Sequence, residues 1–356
     1  MKIKFKLLGA VTLIPLSLAA TPALASGTQA GTTITNDVTV NYKVSGVSQT
    51  AQSATNAVTV DRKVNLTMTT AAATTNSAPG STAQVTSYTL TNTSNDTLDF
   101  ALSVAQQSNG ATAQHGGTDA FDTTNVSIYL DNNTNGTVDA GDTLVTYLDE
   151  IAPDTTKNIL VVSDIPISQT NGQVAGVVLT AQAAAGGSSG TQGAILTATA
   201  GANTAGVDNV LADTAGATDA ASDGKYSIKG DYTVSAPVLT ITKVSTLISD
   251  PINNSTNPKA IPGATIEYCI VVANAAGAAT ATNLGVSDTL PSTIAYSSGY
   301  GIFVNGTATG SAPSYTCNAD GAAGGGYNAG TTTVTGSLSN LPAGSTSTVR
   351  FRATIN

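Results

Sequence analysis

Residues 126–148 read VSIYLDNNTNGTVDAGDTLVTYL, a polar loop between two short runs of apolar and β-branched side chains. Apolar and polar residues alternate from Val126 to Leu130, and the run from Thr143 to Leu148 has the apolar content of a second strand. Two strands joined by one loop form a hairpin. The stretch therefore predicts β-structure and argues against a helix-loop-helix unit.

The loop between these strands has oxygen-bearing side chains at regular spacings. They match positions one, three, five, nine and twelve of an EF-hand calcium loop, with a carbonyl from position seven and Gly136 at the turn of position six. The predicted calcium ligands are Asp131, Asn133, Asn135, Thr137, Asp139 and Asp142. Because only three are charged and position twelve is Asp, we expect a dissociation constant of about 10⁻⁴ to 10⁻³ M. The alternative is an Asn- and Gly-rich hairpin tip that binds no ion.

Short strands separated by turn residues continue on both sides of the loop. No helical periodicity persists, and this spacing is typical of an all-β sandwich. The predicted strands are Val85 to Thr91, Leu98 to Val104, Val126 to Leu130, Thr143 to Leu148, Ile159 to Val162, Val174 to Ala181 and Ile195 to Ala200.

The length of 356 residues and the hydrophobic content of 41% favour two domains. We place the first at residues 64–236 and the second at 237–356, with the boundary before Pro237. The expected fold class is all-β, with two β-sandwich domains of immunoglobulin-like or jelly-roll-like type. An N-terminal strand segment, residues 26–63, precedes them.

Residues 26–63 contain two alternating runs, around Val38 and Val40 and around Val58 and Val60, with Gly46 placed to turn between them. One interpretation is an opening hairpin of the first sandwich. The other is a donor strand that completes the sheet of a neighbouring subunit.

The first 25 residues predict a secretory signal peptide. Lys2, Lys4 and Lys6 precede an apolar run, and Ala23-Leu24-Ala25 forms a small-residue cleavage site. The mature protein is expected to begin near Ser26 and to be secreted to the extracellular space or the cell surface. No later stretch is apolar enough over sufficient length to predict a membrane span.

The formal charge of −9 makes nucleic acid an unsuitable partner, because phosphate binding depends on clustered Lys and Arg. The near absence of aromatic side chains, 4% with no Trp, argues against a sugar-binding platform of stacked rings.

The segment after Pro237 carries the most specific sequence pattern. Pro262-Gly263 precedes Tyr268, and Asp288-Thr289-Leu290-Pro291 follows Asn283. This order resembles the conserved repeat domain of prokaryotic cell-surface proteins, an immunoglobulin-like family of unknown function, over residues 237–356. The resemblance implies a structural surface module without assigned catalytic residues. The Gly- and Ala-rich insertion at 321–330 departs from the pattern.

The first domain repeats part of this order, because Pro79-Gly80 precedes Tyr88 and then Asn92. We interpret this as a second sandwich of related architecture. The N-terminal region also resembles the leading part of secreted repeat-domain proteins of Gram-negative bacteria, among them surface and fibre proteins.

Cys269 and Cys317 are the only cysteines. In a secreted chain an even pair within one domain indicates a disulfide, and the alternatives are two buried thiols or a nucleophile. A nucleophile requires a base, and the single histidine, His115, lies in the other domain, in a loop where we expect it to be solvent-exposed. The sequence contains no acid, base and nucleophile constellation, so we expect no enzyme.

We therefore expect a secreted structural subunit of an extracellular fibre or matrix, a homo-oligomer or homopolymer with calcium as its cofactor. The alternative is a monomeric adhesin whose loops contact a surface or matrix partner, and the sequence does not identify that partner.

Overall fold

The computed structural model describes residues 27–356, and the predicted signal peptide lies outside the described residues. Strands and turns form the structure of this range, in which no helix occurs. The prediction of an all-β protein with sandwich architecture is confirmed. None of residues 27–356 belongs to a helix long and apolar enough to cross a membrane.

The described chain begins with a two-stranded ribbon and a small tip. Its strands are β1 (Thr33–Val40), β2 (Lys43–Val44), β3 (Val47–Ser48) and β4 (Gln52–Thr59). β1 pairs with β4 in antiparallel register from Thr33 opposite Thr59 to Val40 opposite Gln52. Gly46 has a positive φ of 85° at the tip, a backbone conformation that glycine adopts without a steric penalty. We call residues 33–59 the N-terminal hairpin.

Two facing sheets form the first sandwich. Their strand orders are β11-β10-β13-β8-β6 and β12-β9-β14-β16-β7, beside a short parallel ribbon of β5 and β15. The strands are β5 (Arg62–Val64), β6 (Leu66–Thr70), β7 (Thr75–Ser77), β8 (Gln84–Asn92), β9 (Leu98–Gln106), β10 (Thr124–Leu130), β11 (Thr143–Leu144), β12 (Tyr147–Ile151), β13 (Thr156–Asp164), β14 (Val174–Ala185), β15 (Asn209–Leu211) and β16 (Lys225–Val234).

Alternation explains which side chains fill this sandwich. Along β8 the buried residues are Thr86, Tyr88, Leu90 and Asn92, every second position of the strand, because successive side chains point to opposite faces of a sheet. The core they join extends from Val64 to Val234.

Two predicted strands differ from the structure. The segment 143–148 is divided between β11 and β12, which belong to different sheets. The Val145 N–H still bonds the first sheet at the Ile128 carbonyl, whereas the Thr146 carbonyl accepts from Leu102 in the second. The segment 195–200 forms only an isolated bridge, between Ala184 and Ile195.

The second sandwich has a core of its own, from Ile270 to Ala353. One sheet has the order β17-β18-β27-β21-β24 with β20 beside β27, and the facing sheet has the order β19-β26-β25. The strands are β17 (Leu239–Ser249), β18 (Thr265–Asn274), β19 (Leu284–Thr289), β20 (Ile294–Tyr296), β21 (Ile302–Gly306), β22 (Ala308–Thr309), β23 (Thr316–Cys317), β24 (Ala322–Ala323), β25 (Gly326–Asn328), β26 (Thr333–Leu338) and β27 (Thr346–Ile355). The exact domain boundary at Pro237 stays a prediction.

The larger sheet of the second sandwich repeats a sheet of the first. Strands β17, β18, β27, β21 and β24 correspond in order to β6, β8, β13, β10 and β11. The register agrees as well, because Leu66 lies opposite Asn92 in the first sandwich and Leu239 lies opposite Asn274 in the second. The two sandwiches therefore share an architecture.

In the first sandwich, β8 is the second strand of this shared order, and it ends at a buried asparagine, Asn92. The Asn92 Nδ2 donates to the carbonyls of Asp96 at 2.9 Å and Ile151 at 2.8 Å. Its main chain accepts from the N–H of Asp154 at 2.8 Å and donates to the carbonyl of Thr155 at 3.0 Å. One residue thus closes its own turn and fixes the turn that leads into β13.

Asn274 makes the same set of contacts in the second sandwich. Its Nδ2 donates to the carbonyls of Ala279 at 2.7 Å and Leu341 at 3.0 Å. Its main chain pairs with Gly344 and Ser345, each at 2.9 Å. Both asparagines are buried, so their amides satisfy carbonyls that water does not reach.

Replacement of either asparagine is expected to destabilise its own sandwich. Asn92→Ala and Asn274→Ala each leave two carbonyls without the amide donor, which lowers the free energy of unfolding by about 2–4 kcal/mol. Denaturant unfolding followed by circular dichroism measures the change, with the exposed Asn203→Ala as control. A loss below about 1 kcal/mol in both variants would show that these amides do not anchor the turns.

Candidate metal centre and apolar groove

The predicted calcium loop is the connection of a β-hairpin. β10 and β11 flank it, with Tyr129 opposite Leu144 and Leu130 opposite Thr143. Asp131 is 5% exposed directly after β10, and its carboxylate accepts from the N–H groups of Asn135 at 3.2 Å and Gly136 at 3.0 Å. Asp131, at the first ligand position, therefore holds the turn at Asn135 and Gly136 through its carboxylate.

Three of the predicted ligands converge on one point. The Asp139 Oδ2 accepts from the Nδ2 of Asn133 and of Asn135, both at 2.8 Å. The Gly141 N–H and these two amides hold the pKa of Asp139 below its ordinary value. A half-turn of each amide about its terminal bond exchanges its nitrogen for its oxygen. The convergent set then consists of hard oxygen donors, which is what calcium requires.

The remaining predicted ligands do not join this point directly. The Asp142 carboxylate accepts from the N–H groups of Asn132 and Asp139, and Thr137 donates its hydroxyl to the Asn135 Oδ1 at 2.9 Å. Among residues 27–356, the three loop carboxylates do not form a group in which one oxygen of each lies within 4.8 Å of the others. The donor set fits calcium, and closing around an ion requires main-chain N–H partners to be exchanged for metal by the carboxylates of Asp131 and Asp142 and by the amide oxygens of Asn133 and Asn135.

Asp99, Asp149 and Glu150 form an acidic group that the sequence analysis missed. One oxygen of each lies within 4.8 Å of the others. Main-chain N–H groups of the loop after β14 donate hydrogen bonds to these carboxylates. Gly193 donates to Asp99, Gly190 to Asp149, and Gly187 and Ser188 to Glu150. Only the pairing of β9 with β12 brings Asp99 to the adjacent Asp149 and Glu150, since it lies about 50 positions before them in the sequence. The group holds the Gly- and Ser-rich loop at 186–190.

The expectation of a solvent-exposed His115 is wrong. Its side chain is 15% exposed, and the Nδ1 lies 2.8 Å from the fully buried Asp231 carboxylate. The Nε2 lies 2.8 Å from the Ala71 carbonyl. Burial opposes protonation, but the hydrogen bonds to Asp231 and Ala71 outweigh it and raise the pKa of His115 above its ordinary value. The His115 side chain therefore joins the loop before Asp119 to β16.

Cys269 and Cys317 form a disulfide with a Cα–Cα distance of 5.6 Å. Cys269 is buried on β18 and Cys317 lies on β23, so the bond attaches the β22–β23 ribbon to the core sheet. The pairing removes the thiol alternatives that the sequence left open.

The second sandwich has an apolar groove between β17 and β19. Its lining residues are Leu239, Ile241, Lys243, Ile270, Val272, Leu284, Gly285, Val286, Ser287 and Asp288, around a cavity of about 460 Å³. β17 and β19 are each terminal in the strand order of their sheets within the described chain. The Lys243 Nζ bonds the Asp288 carboxylate at 2.6 Å across one end.

Exposure along this groove is unusual for a sandwich. Leu239 and Ile241 are 40% and 73% exposed, whereas Leu66 and Met68, at the corresponding register of the first sandwich, are 0% and 4% exposed. Residues with the position and the chemistry of core side chains therefore face solvent in the second sandwich.

The architecture defines an all-β protein of two related sandwiches, with an Asp- and Asn-rich hairpin loop in the first and an apolar groove in the second. A scan against protein-family models and a search of the curated proteins both find no match. The resemblance to the conserved repeat domain thus stays a prediction.

Among solved structures the chain is similar to the C-terminal domain of the AgI/II polypeptide BspA of Streptococcus agalactiae. The identity is 9% and the TM-score 0.35, over 82% of this chain and 91% of that chain. A second structure titled BspA_C_WT gives the same identity and TM-score over 79% and 86%. At this level the similarity carries no argument about function.

Calcium is expected to stabilise the first sandwich. With a dissociation constant of about 10⁻³ M, about 10 mM calcium adds about 1.4 kcal/mol to the free energy of unfolding. Asp139→Ala removes the group on which the amides converge and is expected to abolish this gain, whereas the exposed Asp122→Asn keeps it. Thermal unfolding with calcium or chelator, and calorimetric titration, measure both. An equal gain in Asp139→Ala would place the ion elsewhere.

The His115 contacts predict a pH dependence of stability. Because folding raises the pKa of His115, its contribution is complete below the unfolded value of about 6.5 and is lost as the pH rises through the folded value. Denaturant unfolding between about pH 5.5 and 9 should show the free energy of unfolding of the first sandwich falling as the pH rises. His115→Ala should remove this pH dependence. The neighbouring exposed Gln114→Ala should keep it, and an unchanged slope in His115→Ala would contradict the assignment.

Proposed function

We propose that the protein is a secreted structural subunit that assembles with copies of itself into an extracellular fibre or matrix, joined through the N-terminal hairpin. The observation that carries the proposal is the exposed apolar face of this hairpin. Ile34, Val38, Val40 and Val58 are 50–57% exposed.

The two faces of the hairpin differ in chemistry. Residues directly opposite in an antiparallel pair share a face. One face therefore holds the apolar side chains of the hairpin with three uncharged amides among them: Ile34, Val38, Val40, Ala54 and Val58, with Asn36, Asn56 and Gln52. The other is hydroxyl-rich, where Thr39 bonds Ser53 at 3.0 Å and Thr55 bonds Asp37 at 2.6 Å. Such a division is typical of a ribbon with one face buried against a core.

The hairpin needs a partner because an isolated two-stranded ribbon is marginally stable in water. Its base is attached to the first sandwich, where the Asn95 Nδ2 donates to the carbonyls of Thr28 at 3.0 Å and Asp61 at 2.9 Å. Beyond this base, every residue from 32 to 58 is exposed. A partner chain that covers the apolar face supplies the missing burial.

An extracellular location agrees with the disulfide, which persists in oxidising compartments, and with the predicted signal peptide. A structural role agrees with the hydroxyl-rich, weakly charged composition. The monomeric adhesin remains the competing function.

The proposal is tested on the mature protein, residues 26–356. Val38→Asp places a charge on the apolar face of the hairpin and is expected to abolish filaments in negative-stain electron microscopy and to leave monomers in sedimentation velocity. Ile167→Asp, at an 82% exposed apolar residue outside the hairpin, is the matched control and is expected to assemble. Monomers for the unsubstituted protein, with and without calcium, would favour the adhesin.

A further inference from the structure

We infer that the groove between β17 and β19 is the acceptor for the N-terminal hairpin of a second copy of this chain. The inference rests on the proposed self-assembly and names the surface that performs it. The hairpin would lie beside β19 and over β17, completing the smaller sheet of the second sandwich.

The first sandwich shows what the second lacks. After β8 the chain forms β9, which pairs with β12 on one side and with β14 on the other. β14 in turn pairs with β16 in an antiparallel ribbon. In the second sandwich β19 follows β18 in the same way, and β26 pairs with it as β12 pairs with β9. Within residues 27–356, no strand takes the place of β14 and β16 beside β19.

The ribbon of the first sandwich buries the residues that the second exposes. β16 packs against β6, the strand that carries Leu66 and Met68. The corresponding Leu239 and Ile241 on β17 have no such cover and form the wall of the groove. Ile270 and Val272 lie at its base, each 4% exposed. The groove is therefore a ribbon-shaped gap in a sandwich core.

The N-terminal hairpin matches this gap in form. It is an antiparallel ribbon, like β14 with β16, and its apolar side chains recur at every second or fourth position of β1. Each strand of eight residues is about 27 Å long, and the ribbon is about 10 Å wide. The one face that meets the groove therefore covers about 270 Å², to which main-chain pairing along β19 is added.

The charges favour the same pairing. The chain has a net charge of −9, so copies repel one another over most of their surfaces. The apolar face of the hairpin carries no ionisable residue, and the charged residues lining the groove, Lys243 and Asp288, neutralise each other. Two copies therefore meet without like-charge repulsion where the hairpin enters the groove.

A hairpin on one copy and a groove on the next make a heterologous contact. Such a contact uses different surfaces on the two partners, so every added copy presents a new free surface and the assembly grows as an open chain unless it closes into a ring. This agrees with a fibre, because each single contact leaves one hairpin and one groove free at the ends of the assembly.

The test uses the mature protein with charge placed in the groove. Ile241→Asp is expected to block assembly, and Ile252→Asp, at a 75% exposed residue of the same domain outside the groove, is expected to assemble like the unsubstituted protein. Both residues are exposed, so neither substitution disturbs the core. Sedimentation velocity and electron microscopy measure the assembly.

Mixing two defective proteins locates the contact. Val38→Asp keeps an intact groove and Ile241→Asp keeps an intact hairpin, so an equimolar mixture is expected to form a discrete dimer although neither protein assembles alone. A photo-crosslinking residue at position 34 of the Ile241→Asp protein should then link to the groove of its partner, within residues 239–243 or 284–288, as read by mass spectrometry.

The outcomes separate the two proposals. Filaments from Ile241→Asp, together with monomers from Val38→Asp, would contradict the groove as the acceptor and would still support assembly through the hairpin. Crosslinks to the first sandwich would do the same. Monomers from the unsubstituted protein would overturn the proposed function itself.

Discussion

The buried side-chain amide at the end of β8 and of β18 is the constraint on which both sandwiches depend. Asn92 and Asn274 each donate to two carbonyls of different loops while their main chains pair with the turn before β13 or β27. That turn needs a residue with positive φ, Asp154 at 58° in one case and Gly344 at 70° in the other. Local turn geometry and long-range strand pairing are therefore fixed by the same side chain.

The repeated architecture could be read from the sequence only in outline. The order of Pro-Gly, Tyr and Asn indicated related sandwiches, and the spacing of short strand-like runs between turn residues located β8, β9, β13 and β14. The division of 143–148 between two sheets could not be predicted, because both halves have strand-like composition and only the partners Ile128 and Leu102 separate them. Residues 195–200 resemble a strand but have just one bridge partner, at Ala184.

The candidate sites also differ in whether the sequence alone could predict them. The spacing within one loop was sufficient to predict a calcium ligand set from Asp131 to Asp142, because ligands of such a loop are neighbours in sequence. Asp99 with Asp149, and His115 with Asp231, are joined by strand register and by loop packing across about 50 to 116 positions. The exposure of Ile241 could not be foreseen either, since its alternation is that of a core strand and only the facing sheet decides what covers it.

The hydroxyl-rich, weakly charged composition of the N-terminal hairpin determines how contacts through it respond to salt. From 33 to 59 the chain carries only Asp37 and Lys43 as acid and base, and Asp37 already accepts the hydroxyl of Thr55. Screening by salt weakens contacts between exposed charges and leaves apolar and main-chain contacts largely unaffected. A contact made through such a surface is therefore expected to depend little on ionic strength.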